Sequence, residues 1–204
     1  MPKVSDAHLE GRKDQILDAA AERFAEGGFH ATSMADIIGA SGLSAGSMYR
    51  YFKSKDELIG AIIDRLMETV MGELTRATMT APPGTETIAL SVQTAQQILS
   101  SQPLIAKLLP QLWTEAVRDE AIRLRAQTFY RTLLAHFTRN VRAAQASGSL
   151  SAELDAEGVA QVGLALVQGF MVQRLMLQGD INPESYLQTV RQLIGAGAQR
   201  ASAK

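Results

Sequence analysis

Cysteine is absent from this chain of 204 residues. That absence excludes a disulfide scaffold, a thiol nucleophile and every cysteine-based zinc or iron–sulfur site. Proline is scarce, six residues in all, too few for a Pro-rich linker protein. An excess of one charge is also lacking, since 20 basic side chains against 21 acidic leave a formal net of −1. The first thirty residues lack the apolar run of a secretory signal, because Lys3, Asp6, Glu10, Arg12, Lys13, Asp14 and Asp18 interrupt them. The expected location is the cytoplasm. What is present, 46% hydrophobic and 20% charged residues, is the balance of an ordinary globular chain. Its length supports a real core, in one large domain or two small ones.

One long apolar stretch stands out. Val159 to Leu177 is 19 residues, close to the ~20 that a membrane-spanning helix needs. It carries Gln161, Gln168, Gln173 and Arg174, each costly in hydrocarbon. A helix that is apolar almost all round but dotted with amides is read here as buried between other helices, with no membrane involved.

The remaining patterning is helical throughout, with no sustained period-2 alternation between hairpin turns. Ile16, Leu17, Ala20 and Phe24 form one stripe over about 9–26, and Gly27-Gly28 supplies a stop. Thr32 and Ser33 are alternative caps of a short helix through Ile37 and Ile38, with Ser33 and Asp36 at capping-box spacing. That helix ends near Ser41-Gly42, and Ser44 caps a second one ending near Phe52. Ser54-Lys55-Asp56-Glu57 is a capping box that opens a long helix as far as the break at Pro82-Pro83-Gly84. Further helices are expected at about 85–101, from Pro103 with a kink at Pro110, at about 119–147, at about 155–178, and at about 183–196. The tail from Gly195 to Lys204 is small and polar, with a fraying end. The count is nine helices, and no repeat is visible.

The segment 32–55 carries the chemistry. Two short helices joined by a turn containing Gly42 fit a helix-turn-helix, whose second helix enters the major groove. Leu43, Met48 and Phe52 can face the core, which turns Ala45, Gly46, Tyr49 and Arg50 outward. Small Ala45, Gly46 and Ser47 let the backbone approach base edges. Arg50 can pair bidentately with guanine, Ser47 can donate or accept, and Ala45 can touch a thymine methyl. The helix starts at Thr32/Ser33, Ser44 and Ser54 offer backbone N–H groups to phosphates. Tyr49, Tyr51, Lys53 and Lys55 add side-chain phosphate contacts. Residues 1–60 hold 7 basic and 9 acidic groups, so there is no broad basic patch and the expected salt slope is modest. A plain helical hairpin inside an all-α domain is the competing reading.

Residues 12–60 resemble the DNA-binding domain of the TetR (tetracycline repressor) family. The resemblance runs through Ile16-Leu17-Asp18-Ala19-Ala20, Phe24, Gly27-Gly28-Phe29, Thr32-Ser33-Met34, Asp36-Ile37 and Ser41-Gly42-Leu43-Ser44. It continues through Gly46, Met48-Tyr49, Tyr51-Phe52, Ser54-Lys55 and Leu58. Tyr51 stands where that family often has histidine, and tyrosine also reaches phosphate. The resemblance implies a homodimeric regulator, usually a repressor, released from double-stranded operator DNA by a small ligand. It implies an all-α fold, with a three-helix helix-turn-helix domain at 1–54 and a helical ligand-binding and dimerisation domain at 55–204.

Carried over, the resemblance assigns the helices at about 155–178 and 183–196 to the dimer interface. Gly163, Ala165 and Gly169 permit close helix approach, and Val159, Val162, Leu166, Phe170 and Val172 supply apolar area. The competing reading makes that helix the core of its own subunit. Ligand-pocket candidates are Met67, Met71, Trp113, Phe129, Leu133, Phe137, Phe170 and Arg174, with Tyr130, Met171 and Met176 as further wall residues. Trp113, the only tryptophan, has Gln111 and Glu115 nearby in sequence. Arg174 and Gln173 either orient the polar end of a ligand or reach solvent or a partner chain. The expected effector is small and mostly apolar.

No catalytic constellation appears. His8, His30 and His136 are far apart in sequence, no HExxH pair exists, and no phosphate loop or dinucleotide fingerprint occurs. Glu153, Asp155 and Glu157 cluster at a helix start, where they complement the dipole. The chain is read as no enzyme, without cofactor or metal. The alternative function is a helical small-molecule-binding protein that does not read DNA.

Overall fold

Each segment with a 3.6-residue apolar rhythm folds as a helix. The computed structural model describes residues 6–79, 85–177 and 180–201, without the side chains of 6–9, 85, 86, 88 and 194–201. Among the described residues there are nine helices and no strand. They are α1 (Asp6–Ala31), α2 (Met34–Ser41), α3 (Ala45–Tyr51), α4 (Lys55–Met79), α5 (Thr85–Ser101), α6 (Pro103–Arg118), α7 (Glu120–Ala146), α8 (Ala156–Met176) and α9 (Pro183–Ala201). The break expected at Pro82-Pro83-Gly84 lies outside the described residues, as do the last three positions of the tail. Helix α9 runs past the expected end near residue 196.

Local chemistry sets most of the boundaries. Gly28 adopts φ 82 and ψ 163, a conformation open to glycine because no Cβ clashes there. The helical run then resumes to Ala31, so the double glycine breaks α1 without ending it. Ser33 is the cap of α2 and completes a reciprocal capping box with Asp36, while Gly42 closes the helix at φ 67. Two hydrogen bonds from Ser33 hold the Asp36 carboxyl below the ordinary carboxylate range. Ser54 Oγ accepts from the Glu57 N–H at 3.2 Å, and the Glu57 carboxylate accepts from the Lys53 N–H at 2.6 Å. Pro110 sits inside α6, which continues through it. Asp155 caps α8 and Asn182 caps α9, with Pro183 at the first helical position.

The chain divides into two compact units. The first takes in Met1–Met67 and Pro103–Ala126. Its interior holds Ile16, Leu17, Ala20, Phe24, Phe29, Ile37, Met48, Phe52, Leu58 and Ile62, all buried. The Phe24 and Phe29 rings meet at 5.0 Å, which ties the turn after Gly28 back onto α1. Helix α1 packs on α2 and α6. Gln15 Nε2 donates to the Ser41 carbonyl at 2.8 Å, and the Arg125 guanidinium lies over Gly60 and pairs with both oxygens of Asp64.

The second unit takes in Glu68–Gln102 and Gln127–Lys204. Helix α5 packs on α8 and α9. Val92, Phe129, Leu133, Phe137, Val141, Leu164, Phe170 and Val190 are buried there. Helix α8 has the length and apolarity of a membrane span, yet Ala160, Leu164, Phe170 and Met171 are buried inside the unit. The Phe170 ring lies 4.8 Å from that of Tyr186, whose hydroxyl donates to the Leu166 carbonyl at 2.7 Å. Burial raises the Tyr186 phenol above its ordinary value, so it stays a donor.

His136 is a core histidine, 3% exposed, with Nε2 at 3.2 Å from Asn140 Nδ2 and 3.5 Å from Thr78 Oγ1. Burial first, and then the charge of Arg139, hold the ring below its ordinary value of 6.5. A base depressed on folding favours the native state above its unfolded value, and that contribution is lost as pH falls through the folded value. Chemical denaturation between about pH 7.5 and about pH 5 is therefore expected to show a loss of stability that His136→Gln reduces. Equal losses in the two proteins would contradict this placement of the ring.

Candidate functional site

The site builds on α2 and α3. Met48 and Phe52 point inward and are buried, and Leu43 in the turn is half-buried. The opposite face of α3 is therefore open: Ala45, Gly46, Tyr49 and Arg50 are exposed, and Ser47 and Tyr51 are half-buried. Exposed Ser44 caps the helix by accepting from the Ser47 N–H at 3.2 Å. The first-turn N–H groups of Ala45 and Gly46 have no intrahelical acceptor by construction and remain available. Exposed Ser33 does the same at α2. This face combines small side chains, an aromatic hydroxyl and a guanidinium.

Two candidates occupy a different position. Thr32 is buried, and its Oγ1 donates to the carbonyls of Gly28 at 2.9 Å and Arg23 at 3.1 Å. Half-buried Lys55 extends its Nζ to the carbonyls of Phe29 at 2.9 Å, Thr32 at 3.3 Å and His30 at 3.4 Å. Its three donors are matched by three acceptors at the end of α1. Thr32 and Lys55 thus hold the junction of α1, α2 and α4 on which α3 is carried. The sequence pattern does not distinguish this use from a phosphate contact, because a lysine on a helix start suits either. Gln15, the α1–α2 clamp, had no sequence signal at all.

The ligand candidates divide between the units. Half-buried Met67 and Trp113 belong to the first, and Met71, Phe129, Leu133, Phe137, Phe170 and Arg174 to the second. Glu115, near Trp113 in sequence, is buried and accepts from His30 Nε2 at 3.0 Å. Phe129, Leu133, Phe137 and Phe170 are packed into the interior of their own unit. Arg174 is half-buried and donates from Nη1 to Ser100 Oγ at 2.6 Å. A separate groove of about 310 Å³ between α7 and α8 is lined by Leu134, Thr138, Arg139, Arg142, Glu157 and Gln161, among others. Among the described residues no three His, Asp or Glu side chains converge on a point that could hold a metal.

Helix α8 is buried on one face and exposed on another. Gly163 and Phe170 are buried within the unit, so they offer nothing to a partner. Val162, Ala165, Gly169, Val172 and Met176 follow a 3–4–3–4 spacing on another face, where Val162 is 62% exposed and Met176 67%. A Cβ on Gly169 would meet nothing within 4 Å. Leu193 of α9 is likewise exposed.

The clamp on α1 predicts a stability effect. Lys55→Met keeps the stem but removes three donors, and urea denaturation is expected to give a loss of about 1–3 kcal/mol. An unchanged midpoint would show that the ammonium does not hold the junction.

Two family profiles match the chain. One, described as bacterial regulatory proteins, tetR family, matches residues 16–62. The other, described as BetI-type transcriptional repressor, C-terminal, matches residues 100–198. The transcriptional repressor KstR2 of Rhodococcus jostii (strain RHA1) is 35% identical over 72 residues, so the match spans about a third of either chain. The transcriptional regulator UidR of Escherichia coli (strain K12) is 24% identical over 183 residues, 90% of this chain and 91% of its own. Among solved structures, Salmonella enterica GusR superposes with a TM-score of 0.79 at 26% identity, covering 97% of this chain and 100% of its own. Bacillus subtilis FadR, solved in complex with stearoyl-CoA, gives 0.79 at 20% identity over 91% and 98%, a likeness of fold alone. With the helix-turn-helix and the C-terminal helices both matched, the chain belongs to the TetR family of bacterial regulatory proteins.

Proposed function

We propose that this protein is a ligand-responsive, DNA-binding transcriptional regulator of the cytoplasm that acts as a repressor. It binds a palindromic operator as a homodimer and is released by a small, mostly apolar molecule. The observation that carries the reading is the two-faced α3, with Met48 and Phe52 buried and Ala45, Gly46, Tyr49 and Arg50 open. A helical hairpin built only for packing has no need of a small-residue outer face next to a free arginine. In the proposal Arg50 reads guanine, Ser47 and Ala45 touch base edges, and Ser33, Ser44, Gly46, Tyr49 and Tyr51 meet the backbone. Thr32 and Lys55 position that set. The DNA-reading part is proposed to span residues 1–54, inside a first compact unit that continues to Met67 and takes in Pro103–Ala126.

The dimer is proposed to form through α8 and α9. The exposed stripe from Val162 to Met176, with Leu193, is apolar area of the kind soluble monomers avoid. A two-fold pair sets the two reading helices about 34 Å apart, one turn of duplex. Helix α4 runs unbroken from Lys55 to Met79, so its residues belong to both units. Effector bound among the C-terminal helices is proposed to shift α4 and carry the helix pair out of register. Effector and operator must then weaken each other equally.

Selection of random duplex DNA by the purified protein, followed by sequencing, tests the reading. An enriched palindrome is expected, and no enrichment at low salt would overturn it. On that palindrome Arg50→Ala is expected to lose about 1–3 kcal/mol of discrimination at one base pair per half-site, measured by competition. Tyr49→Ala is expected to weaken all sequences alike. Loss of discrimination at several positions, or none, would reassign Arg50. Val162→Arg places a charge on the exposed stripe and is expected to shift the protein toward monomer in sedimentation. An unaltered dimer would move the interface elsewhere.

A further inference from the structure

Helix α5 carries more buried polar side chains than its apolar neighbours require. Thr87, Ser91, Thr94 and Gln96 are all buried. Ser91 Oγ donates to the Thr87 carbonyl at 2.9 Å. Gln96 differs: it is 4% exposed, and its Nε2 has no hydrogen-bond partner. A buried amide donor left unpaired is costly, and such groups mark a place where something else completes the bond.

The surroundings of Gln96 point the same way. Ser100 lies one turn along α5 on the same side, and its Oγ donates to the Gln96 carbonyl at 2.8 Å. Arg174 of α8 donates from Nη1 to that Ser100 Oγ at 2.6 Å. These two bonds end on the Gln96 backbone carbonyl, while its side chain shares a face of α5 with Ser100, which is exposed. Its partner is a neutral hydroxyl, and no acidic side chain among the described residues forms an ion pair with it. The same helices continue inward in fully buried apolar residues, Val92 on α5 and Phe170 on α8.

From this juxtaposition we infer that Gln96 and Arg174 form a subsite for the carboxylate end of an organic ligand, between α5 and α8. Both side chains present donors, so only acceptor atoms satisfy them. The guanidinium adds a charge that a carboxylate answers and an alcohol or amine does not. Ser100 holds Arg174 in place until the ligand displaces its hydroxyl. The inference rests on the ligand-responsive reading above and sets the chemistry of the ligand's polar end, leaving its body apolar.

Thermal unfolding of the full chain tests the subsite. The probes are a panel of alkyl and arylalkyl carboxylates, each with its matching alcohol and primary amine. At least one carboxylate is expected to raise the melting temperature, while its alcohol and amine do not. Gln96→Leu and Arg174→Met are expected to weaken that carboxylate about tenfold or more, and Arg174→Lys less. Ligand-free Gln96→Leu is expected to melt no lower than the wild type, because it removes an unpaired donor. A lower melting point would give the amide a purely structural part and overturn the subsite. So would the absence of any carboxylate effect, or equal effects in wild type and both variants. If the wild type selects DNA but no carboxylate binds, the subsite falls and the regulator reading stands. If carboxylate binds but no DNA is selected, the regulator reading falls alone.

Discussion

The Nζ of Lys55 gathers the carbonyls of Phe29, His30 and Thr32, the oxygens at the end of α1 and just beyond it. Helix ends leave such carbonyls without partners, and a buried end must find them a donor. Here the donor sits on the first residue of α4, so one ammonium group joins the end of α1 to the start of α4. Thr32 adds a second tie through Gly28 and Arg23. Between these fixed points lie only α2, a turn and α3. The outward face of α3 is therefore set by groups that lie beneath it. Gln15, bonded to the Ser41 carbonyl, fixes the far end of α2 in the same way.

Helix α8 works under a different constraint, that of carrying apolar residues on two faces. Ala160, Leu164, Phe170 and Met171 are consumed within the second unit. The stripe from Val162 through Gly169 to Met176 is left over, with small residues at its middle. A helix apolar on both faces has almost no amphipathic contrast, which is why its composition imitates a membrane span. The same helix carries Arg174 in its last turn, so the proposed interface residues and the proposed ligand subsite share one element. A ligand that moves Arg174 acts on a helix that the proposed partner subunit also touches.

Much of this was legible from residue order. Capping residues act over three or four positions, and Ser33, Ser44 and Gly42 did what their spacing implied. The inward set Met48 and Phe52 followed from helical periodicity alone. Long-range pairings carry no such signal. Lys55 reaches back some 25 residues to its carbonyls, and its sequence neighbours suit a phosphate contact equally well. Gln96 reads as one more polar residue in a helix, and only its burial without a partner singles it out. Phe170 was claimed by both pocket and interface on composition, whereas packing against Tyr186 places it in the core.

The central claim is that two copies of α3, fixed on their junctions and paired by two-fold symmetry, read successive major grooves on one face of the duplex. Half-site spacing tests it most directly. The selected palindrome is compared with a copy in which about five base pairs, half a helical turn, are inserted between the half-sites. The account predicts near-complete loss of binding on insertion, and no return when a full turn of about ten base pairs is inserted instead, because the half-sites then lie about twice as far apart as the reading helices. Binding indifferent to the half-turn insertion would contradict a rigid two-fold reader.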